Sequence, residues 1–320
     1  MSKYKVVITA RSFGESSDEP FNILKGNDCE VVKIPVDRPL SAEELIPLVK
    51  DADALIVGND KVTEDVINAG KKLKVISRYG VGYDNVDLNA AKKKGIVVTN
   101  TPNANNNSVA DLVIGLMLVL ARNLLAVDRI VKSGGWKRIM GTEIYGKTLG
   151  IIGLGKIGKG VAKRAKGFDM NVLCYDVYPD LKFSEEYGVT YCSFEELLKQ
   201  SDIVTIHVPL TPETKGLIGE RELGMMKPTA FLINTSRGGI VDERALYNAL
   251  ANKKIAGAAL DVMEQEPPIN SPLLQLDNVV ITSHIGGYTC EAITNMGIVA
   301  AKNVVLVLNK KQGAHIVNGE

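Results

Sequence analysis

With 320 residues and 45% hydrophobic content, the chain has room for two domains with sizeable cores. A formal net charge of +1 leaves no basic excess, which excludes nucleic acid or an anionic membrane as the main partner. Residues 1–5 run directly into a strand-like stretch at 6–9, so no signal peptide is expected. Cys29, Cys174, Cys192 and Cys290 lack Cys-x-x-Cys spacing and are expected to be reduced thiols of a cytoplasmic protein, not metal ligands.

Taken in chain order, residues 6–8, 31–34, 54–57, 74–76 and 96–98 are short apolar runs that read as strands. Between them, Ser41 heads a helix to Lys50, with Glu44 completing a capping box. Residues 63–69 and 87–94 also carry helix-start signals, the second stopping at Gly95. Strands alternating with helices imply parallel pairing in a doubly wound sheet. No glycine-rich turn follows the first strand, so this unit is expected to bind substrate. Residues 100–108 form a polar loop whose Pro102 excludes a helix. Residues 109–121 are apolar on nearly every face, which predicts a helix buried on all sides, inside the chain or against a second subunit. A homodimer through this 109–121 region is the expected assembly. Its apolar core, residues 112–121, is too short to span a bilayer.

The second unit opens on an apolar run, residues 149–152, followed by Gly153-Leu-Gly-Lys-Ile-Gly158 and a helical pattern. Gly153 allows the tight turn, Gly155 lets the backbone approach a pyrophosphate, and Gly158 lets helix and strand pack closely. A further strand, residues 171–176, ends in Asp176, where a ribose-binding carboxylate belongs. Asp176 would repel a 2′-phosphate, and the following Val-Tyr-Pro offers no arginine, so NAD is expected over NADP. The last helical pattern, residues 290–308, should pack back on the first domain. The layout is then residues 1–99 with 291–320 as a substrate domain and 100–290 as a dinucleotide-binding domain.

In an open α/β sheet, ligands lie outside the carboxyl ends of the strands. Reading those ends in the second unit places His207 and Pro209 after one strand and Arg237 after the next. Asp261, Glu264 and Glu266 follow a third strand, and His284 a fourth. An arginine fork can hold a carboxylate and polarise a carbonyl, and an imidazole oriented by a carboxylate can move the hydroxyl proton. That set suits hydride transfer to and from a 2-hydroxy acid. Spacing alone leaves Glu264 and Glu266 equal as the imidazole's partner. His207 reads as positioning or cofactor-facing, because Pro209 makes that strand end a rigid turn.

Over nearly its full length the chain resembles the D-isomer-specific 2-hydroxyacid dehydrogenases. The motifs that carry the likeness are Gly153-Leu-Gly-Lys-Ile-Gly158, His207-Val-Pro-Leu-Thr-Pro-Glu-Thr-Lys-Gly216, Asn234-Thr-Ser-Arg-Gly-Gly-Ile-Val-Asp242, Ala259-Leu-Asp-Val-Met-Glu-Gln-Glu-Pro267 and Ser283-His-Ile-Gly-Gly287. The resemblance implies a Rossmann NAD-binding domain inserted into a flavodoxin-like substrate domain. It maps the catalytic arginine to Arg237, the acid/base to His284 and the supporting Glu, immediately before proline, to Glu266. A Gln there would have pointed to formate dehydrogenase. It places Lys156, Ile157, Asp176, Val208, Thr235 and Asp261 at NAD, with His207, Pro209, Thr214, Ser236 and Gly286 on the same rim. Relatives of this kind also serve as NAD-sensing corepressors, but intact Arg237, Glu266 and His284 favour an enzyme.

Within the family, residues 74–87 and 141–149 look most like 3-phosphoglycerate dehydrogenases, which makes 3-phosphoglycerate the leading substrate and serine biosynthesis the expected setting. The turn Arg78-Tyr79-Gly80-Val81-Gly82 would present N–H groups to the substrate carboxylate, with Val81 touching the nicotinamide. Many such enzymes carry a phosphate-binding Arg after the third strand. Here Val57-Gly-Asn-Asp-Lys-Val-Thr63 is one residue shorter and has none, leaving Lys61 or Arg78 as substitutes. The chain ends at Glu320 without a serine-sensing domain, so feedback through one is not expected. Glyoxylate or hydroxypyruvate reduction is the alternative activity.

Overall fold

The computed structural model describes residues 3–319. The chain divides into two compact units, Met1–Asn105 with Gly287–Glu320, and Asn106–Gly286. These borders differ from those expected at 99/100 and 290/291, because the flanking loops bond into the first unit. Asn100 and Thr101 donate to the carbonyls of Val81 and Gly80, and Tyr288 Oη donates to Glu15.

The first unit runs β1 (Tyr4–Ile8), α1 (Glu19–Lys25), β2 (Cys29–Lys33), α2 (Ala42–Val49), β3 (Ala54–Val57), α3 (Glu64–Ala69), β4 (Val75–Arg78), α4 (Leu88–Lys93) and β5 (Val97–Thr99). Its parallel sheet has the order β2-β1-β3-β4-β5, the flavodoxin-like arrangement. Every residue of β3 and β4 is buried, as two-sided packing of a parallel sheet requires. One face is covered by apolar residues of α2, α3 and α4. The other packs on α1 and on the last helix, α12 (Cys290–Leu308), through Leu24, Ala300 and Val304. By length and composition α12 could cross a membrane, but half of it is buried inside this unit. The Ser41–Glu44 capping box forms as expected; α1, with Pro20 in its first turn, has no counterpart among the expected helices. Asp60, 1% exposed, accepts hydrogen bonds from Thr9 Oγ1, Leu40 N and Gly58 N at 2.8, 2.7 and 3.1 Å. It thereby ties together the loops that follow β1, β2 and β3.

The second unit begins with α5 (Asn106–Ala121) and α6 (Leu124–Lys132). It continues through β6 (Thr148–Ile152), α7 (Lys156–Ala165), β7 (Asn171–Tyr175), α8 (Leu181–Tyr187), β8 (Val189–Tyr191), α9 (Phe194–Gln200) and β9 (Ile203–Ile206). Then follow α10 (Glu220–Met225), β10 (Phe231–Asn234), α11 (Glu243–Ala251), β11 (Gly257–Leu260) and β12 (Val279–Ile281). The seven parallel strands lie in the order β12-β11-β10-β9-β6-β7-β8. Order reverses between β6 and β9, the switch point at which doubly wound sheets take dinucleotides.

Helix α5 departs from expectation within this chain. Ala110, Val113, Leu116, Met117 and Leu120 face the core, but Asp111 and Gly115 are exposed and Leu112, Ile114, Leu118 and Val119 only half-buried. Beyond it α6 has no buried residue, and Trp136 and Met140 in the next loop are 90% and 95% exposed. Partly or fully exposed apolar side chains thus occur on α5, on α6 and in that loop.

Candidate active site

The glycine loop joins β6 to α7 through contacts that only glycine permits. Gly153 has φ +93°, and a Cβ there would stand 2.8 Å from the carbonyl oxygen of His207. A Cβ on Gly158 would meet Gly153 O at 2.2 Å, so helix and turn touch backbone to backbone. At Gly155 no protein atom lies within 4 Å of such a Cβ, leaving open space at the N-terminus of α7, beside Lys156 and Ile157. Asp176, at the end of β7, accepts Leu154 N–H at 2.6 Å and Tyr178 N–H at 2.8 Å. Its carboxylate is thereby fixed against the loop.

The neighbouring strand ends carry two buried polar atoms without hydrogen-bond partners in the protein: His207 Nδ1 and Thr235 Oγ1. Burial lowers the His207 pKa to about 3, so its ring is neutral, with Nε2 3.0 Å from Thr205 Oγ1. Thr214 Oγ1 donates to Pro209 O at 2.6 Å and accepts Thr211 N–H at 2.8 Å, bracing the turn that holds Val208 and Pro209. An open glycine cradle, a fixed carboxylate at the end of β7 and unsatisfied polar atoms at the switch point fit a dinucleotide.

Arg237 sits on a turn after β10 that is wound by side chains. Asn234 Oδ1 accepts Ser236 N–H at 3.0 Å and its Nδ2 donates to Arg237 O at 2.8 Å, while Ser236 Oγ donates to Ile206 O at 2.7 Å. Asn234 went unrecognised from sequence, although a polar side chain bonding backbone two residues on is a turn signature. The arginine's Nη1 donates to Ser236 O at 2.8 Å.

Of the two carboxylates after β11, Glu266 meets the imidazole: His284 Nδ1 lies 2.9 Å from Oε2 and 3.2 Å from Oε1. Glu264 is exposed and its backbone N–H turns to Glu243 instead. Burial pushes the Glu266 pKa up, but the His284 hydrogen bond and charge, the Met263 N–H and the charge of Arg237 together hold it below the ordinary value. His284 adopts φ +55°, a left-handed conformation seldom used outside glycine. What over-determines that conformation is Asp261, 1% exposed. Its carboxylate accepts Thr282 Oγ1 at 2.6 Å, Ile285 N–H at 2.8 Å and Gly286 N–H at 2.8 Å, and its carbonyl accepts His284 N–H at 2.9 Å. Asp261 and Gly286, both expected at the cofactor, are bonded to each other and clamp the histidine turn.

In the first unit the expected substrate turn is largely committed to its own domain. Tyr79, 6% exposed, points into the core: its hydroxyl donates to Ile293 O at 2.8 Å and its ring lies 6.0 Å from that of Phe13. Burying so large a ring with its hydroxyl paired outweighs display at the surface. The Gly80 N–H donates to Thr101 Oγ1 at 2.9 Å and to Arg78 O at 3.0 Å. Arg78 is itself 6% exposed, with Nη2 donating to Asn59 Oδ1 at 2.7 Å and Nη1 to the Tyr79 carbonyl. Lys61 is exposed, and Val81 is 37% exposed. Among the described residues no cluster of metal-ligating side chains is present.

A family profile described as the NAD-binding domain of the D-isomer-specific 2-hydroxyacid dehydrogenases matches residues 114–286. The chain is 48% identical over 293 residues to a D-3-phosphoglycerate dehydrogenase of Methanocaldococcus jannaschii, covering 90% of this chain and 56% of that protein. It thus spans about half the length of such curated relatives. A glyoxylate reductase of Thermococcus litoralis is 45% identical over 306 residues, covering 92% of each. Among solved structures, the D-lactate dehydrogenase of Aquifex aeolicus, complexed with NAD and lactic acid, superimposes with a TM-score of 0.84 at 34% identity, covering 98% of this chain and 99% of that one.

Proposed function

We propose that this chain, which belongs to the D-isomer-specific 2-hydroxyacid dehydrogenases, interconverts a D-2-hydroxy acid and its 2-oxo acid with NAD. The observation that carries this reading is the Glu266–His284 pair at 2.9 Å, at the same sheet edge as Arg237. Arg237 holds the substrate carboxylate by its planar fork and polarises the C2 oxygen. Because Nδ1 of His284 is committed to Glu266, Nε2 is the nitrogen left to take the hydroxyl proton in oxidation and return it in reduction. Glu266, kept ionised, fixes that tautomer and favours the imidazolium. NAD, when bound, accepts or supplies the hydride. Gly153, Gly155, Lys156, Ile157, Gly158 and Asp176 would hold its adenosine and pyrophosphate, and His207, Val208, Thr235 and Ser236 would line the remaining rim.

The substrate best supported is a small 2-oxo acid without phosphate, such as glyoxylate or hydroxypyruvate. A phosphate carries nearly two negative charges and calls for several cationic donors. Here the Arg78 fork is buried against Asn59 and Tyr79, and Lys61 remains as the exposed cation of the β3–α3 loop. The second reading, oxidation of 3-phosphoglycerate toward serine, is favoured by the 48% identity to phosphoglycerate dehydrogenases. A panel of glyoxylate, hydroxypyruvate, pyruvate and 3-phosphohydroxypyruvate, each with NADH and NADPH, decides. The expected outcome is higher kcat/KM for the unphosphorylated acids and at least tenfold preference for NADH, since a 2′-phosphate beside Asp176 is repelled. Strong preference for the phosphorylated acid reinstates the second reading.

A second copy of the chain is the proposed cover for the apolar surface of α5, α6, Trp136 and Met140, and light scattering is expected to give twice the chain mass. A monomer at micromolar concentration would refute it. Cytoplasmic residence remains part of this proposal, supported by four free cysteines.

A further inference from the structure

Glu266 sits on a segment, residues 262–266, that has no regular secondary structure. Its path is set by neighbours. Met263 is buried and its N–H donates to Glu266 Oε1 at 3.2 Å. From the arginine turn, Gly238 approaches so closely that a Cβ would stand 2.1 Å from Met263 O and 2.5 Å from Glu264 N. The next amide, Glu264 N–H, donates to Glu243 Oε1 at 2.6 Å, a closer approach than an ordinary amide–oxygen bond.

Glu243 is the first residue of α11, a helix already capped by Asp242, which accepts Ala245 N–H at 2.8 Å, and anchored in the core by Leu246 and Leu250. An acid in the first turn also suits the helix dipole, but that does not explain why this one is half-buried and turned to the loop. Burial and the nearby Glu264 charge push the Glu243 carboxyl above its ordinary value, so this placement opposes ionisation and is sustained by the bond to the loop.

We propose that Glu243 is a positioning residue for the Glu266–His284 pair: by accepting the Glu264 N–H, its side-chain oxygen fixes the turn from which Glu266 reaches His284 Nδ1. The proposal rests on the reading of that pair as the acid/base couple. The required feature is an acceptor oxygen at the right reach. Charge alone does not supply it.

Three variants of the full chain separate these, assayed for NADH-dependent reduction of the best acid in the panel. Glu243→Gln keeps a carbonyl oxygen at the same reach and is expected within about twofold of the parent kcat. Glu243→Asp keeps the charge but withdraws the oxygen by one methylene, and Glu243→Ala removes it. Both are expected to lower kcat about tenfold with the NADH dissociation constant unchanged. Combined with Glu266→Gln, Glu243→Asp should add no further loss, because both act through one carboxylate. A purely electrostatic or helix-stabilising role gives the opposite order, with Asp active and Gln impaired, and would overturn the proposal, as would losses that multiply in the double variant. If Glu243→Ala fails to fold, the Gln-against-Asp order still decides. If Glu266→Gln alone leaves kcat unchanged, the acid/base reading itself falls; if only Glu243→Asp is fully active, that reading stands and this inference does not.

Discussion

His284→Gln is expected to lower kcat for 2-oxo acid reduction by about a hundred- to ten-thousand-fold, while the NADH dissociation constant, read by fluorescence titration, stays within a few-fold. The amide preserves hydrogen bonding to Glu266 but cannot release a proton to the C2 oxygen. Glu266→Gln should be milder and distinguishable by its pH profile. A neutral amide does not titrate, so the variant should lack the fall in activity that protonation of Glu266 gives the parent in acid. The parent profile should not break through Glu266 until well into acid, because its pKa lies below the ordinary 4.5. The sign for stability follows the same shift. A depressed carboxyl contributes fully above its unfolded value and loses that contribution as pH falls through the lower folded one. Unchanged turnover in His284→Gln would eliminate the acid/base assignment.

The second large effect belongs to the glycine loop. Gly158→Ala would place a methyl 2.2 Å from Gly153 O, a backbone atom that cannot swing aside. Either α7 retreats from β6 or the turn opens, and overpacking of this kind costs about 1–3 kcal/mol. NADH affinity is expected to fall by at least about a hundredfold, since the amides that meet the pyrophosphate move with the helix. Gly155→Ala makes the contrast. With no protein atom within 4 Å of its added carbon, it should melt like the parent, so any affinity it loses reports on the cofactor's approach. Affinity within threefold of the parent in Gly158→Ala would sink the cradle as the phosphate site.

The two variants probe parts of the site that differ in how they are encoded. The glycine spacing, Asp176 at the end of β7, and the order arginine, glutamate, histidine along β10, β11 and β12 were readable because each is local. Turn stereochemistry, strand periodicity and caps such as Ser41 with Glu44 depend on residues within one or two turns of each other. In a parallel sheet all strand ends fall at one edge, so local order becomes spatial order without further information.

What lay beyond the sequence is set by partners far apart in it. Tyr79 bonds a carbonyl 214 residues away, which turns a residue expected at the substrate into core. Asp261 collects donors 21 to 25 residues downstream and becomes the clamp of the histidine turn, a role its motif does not disclose. Asn59 reaches Arg78 across 19 residues and draws into the protein the cation expected to meet a phosphate. The sequence by itself determined which groups line the sheet edge, because backbone stereochemistry and periodicity act over a few residues. Only the tertiary structure decided which of those groups remain available to a ligand. Burial obliges each polar atom to find a partner, and that partner is chosen by distance in space.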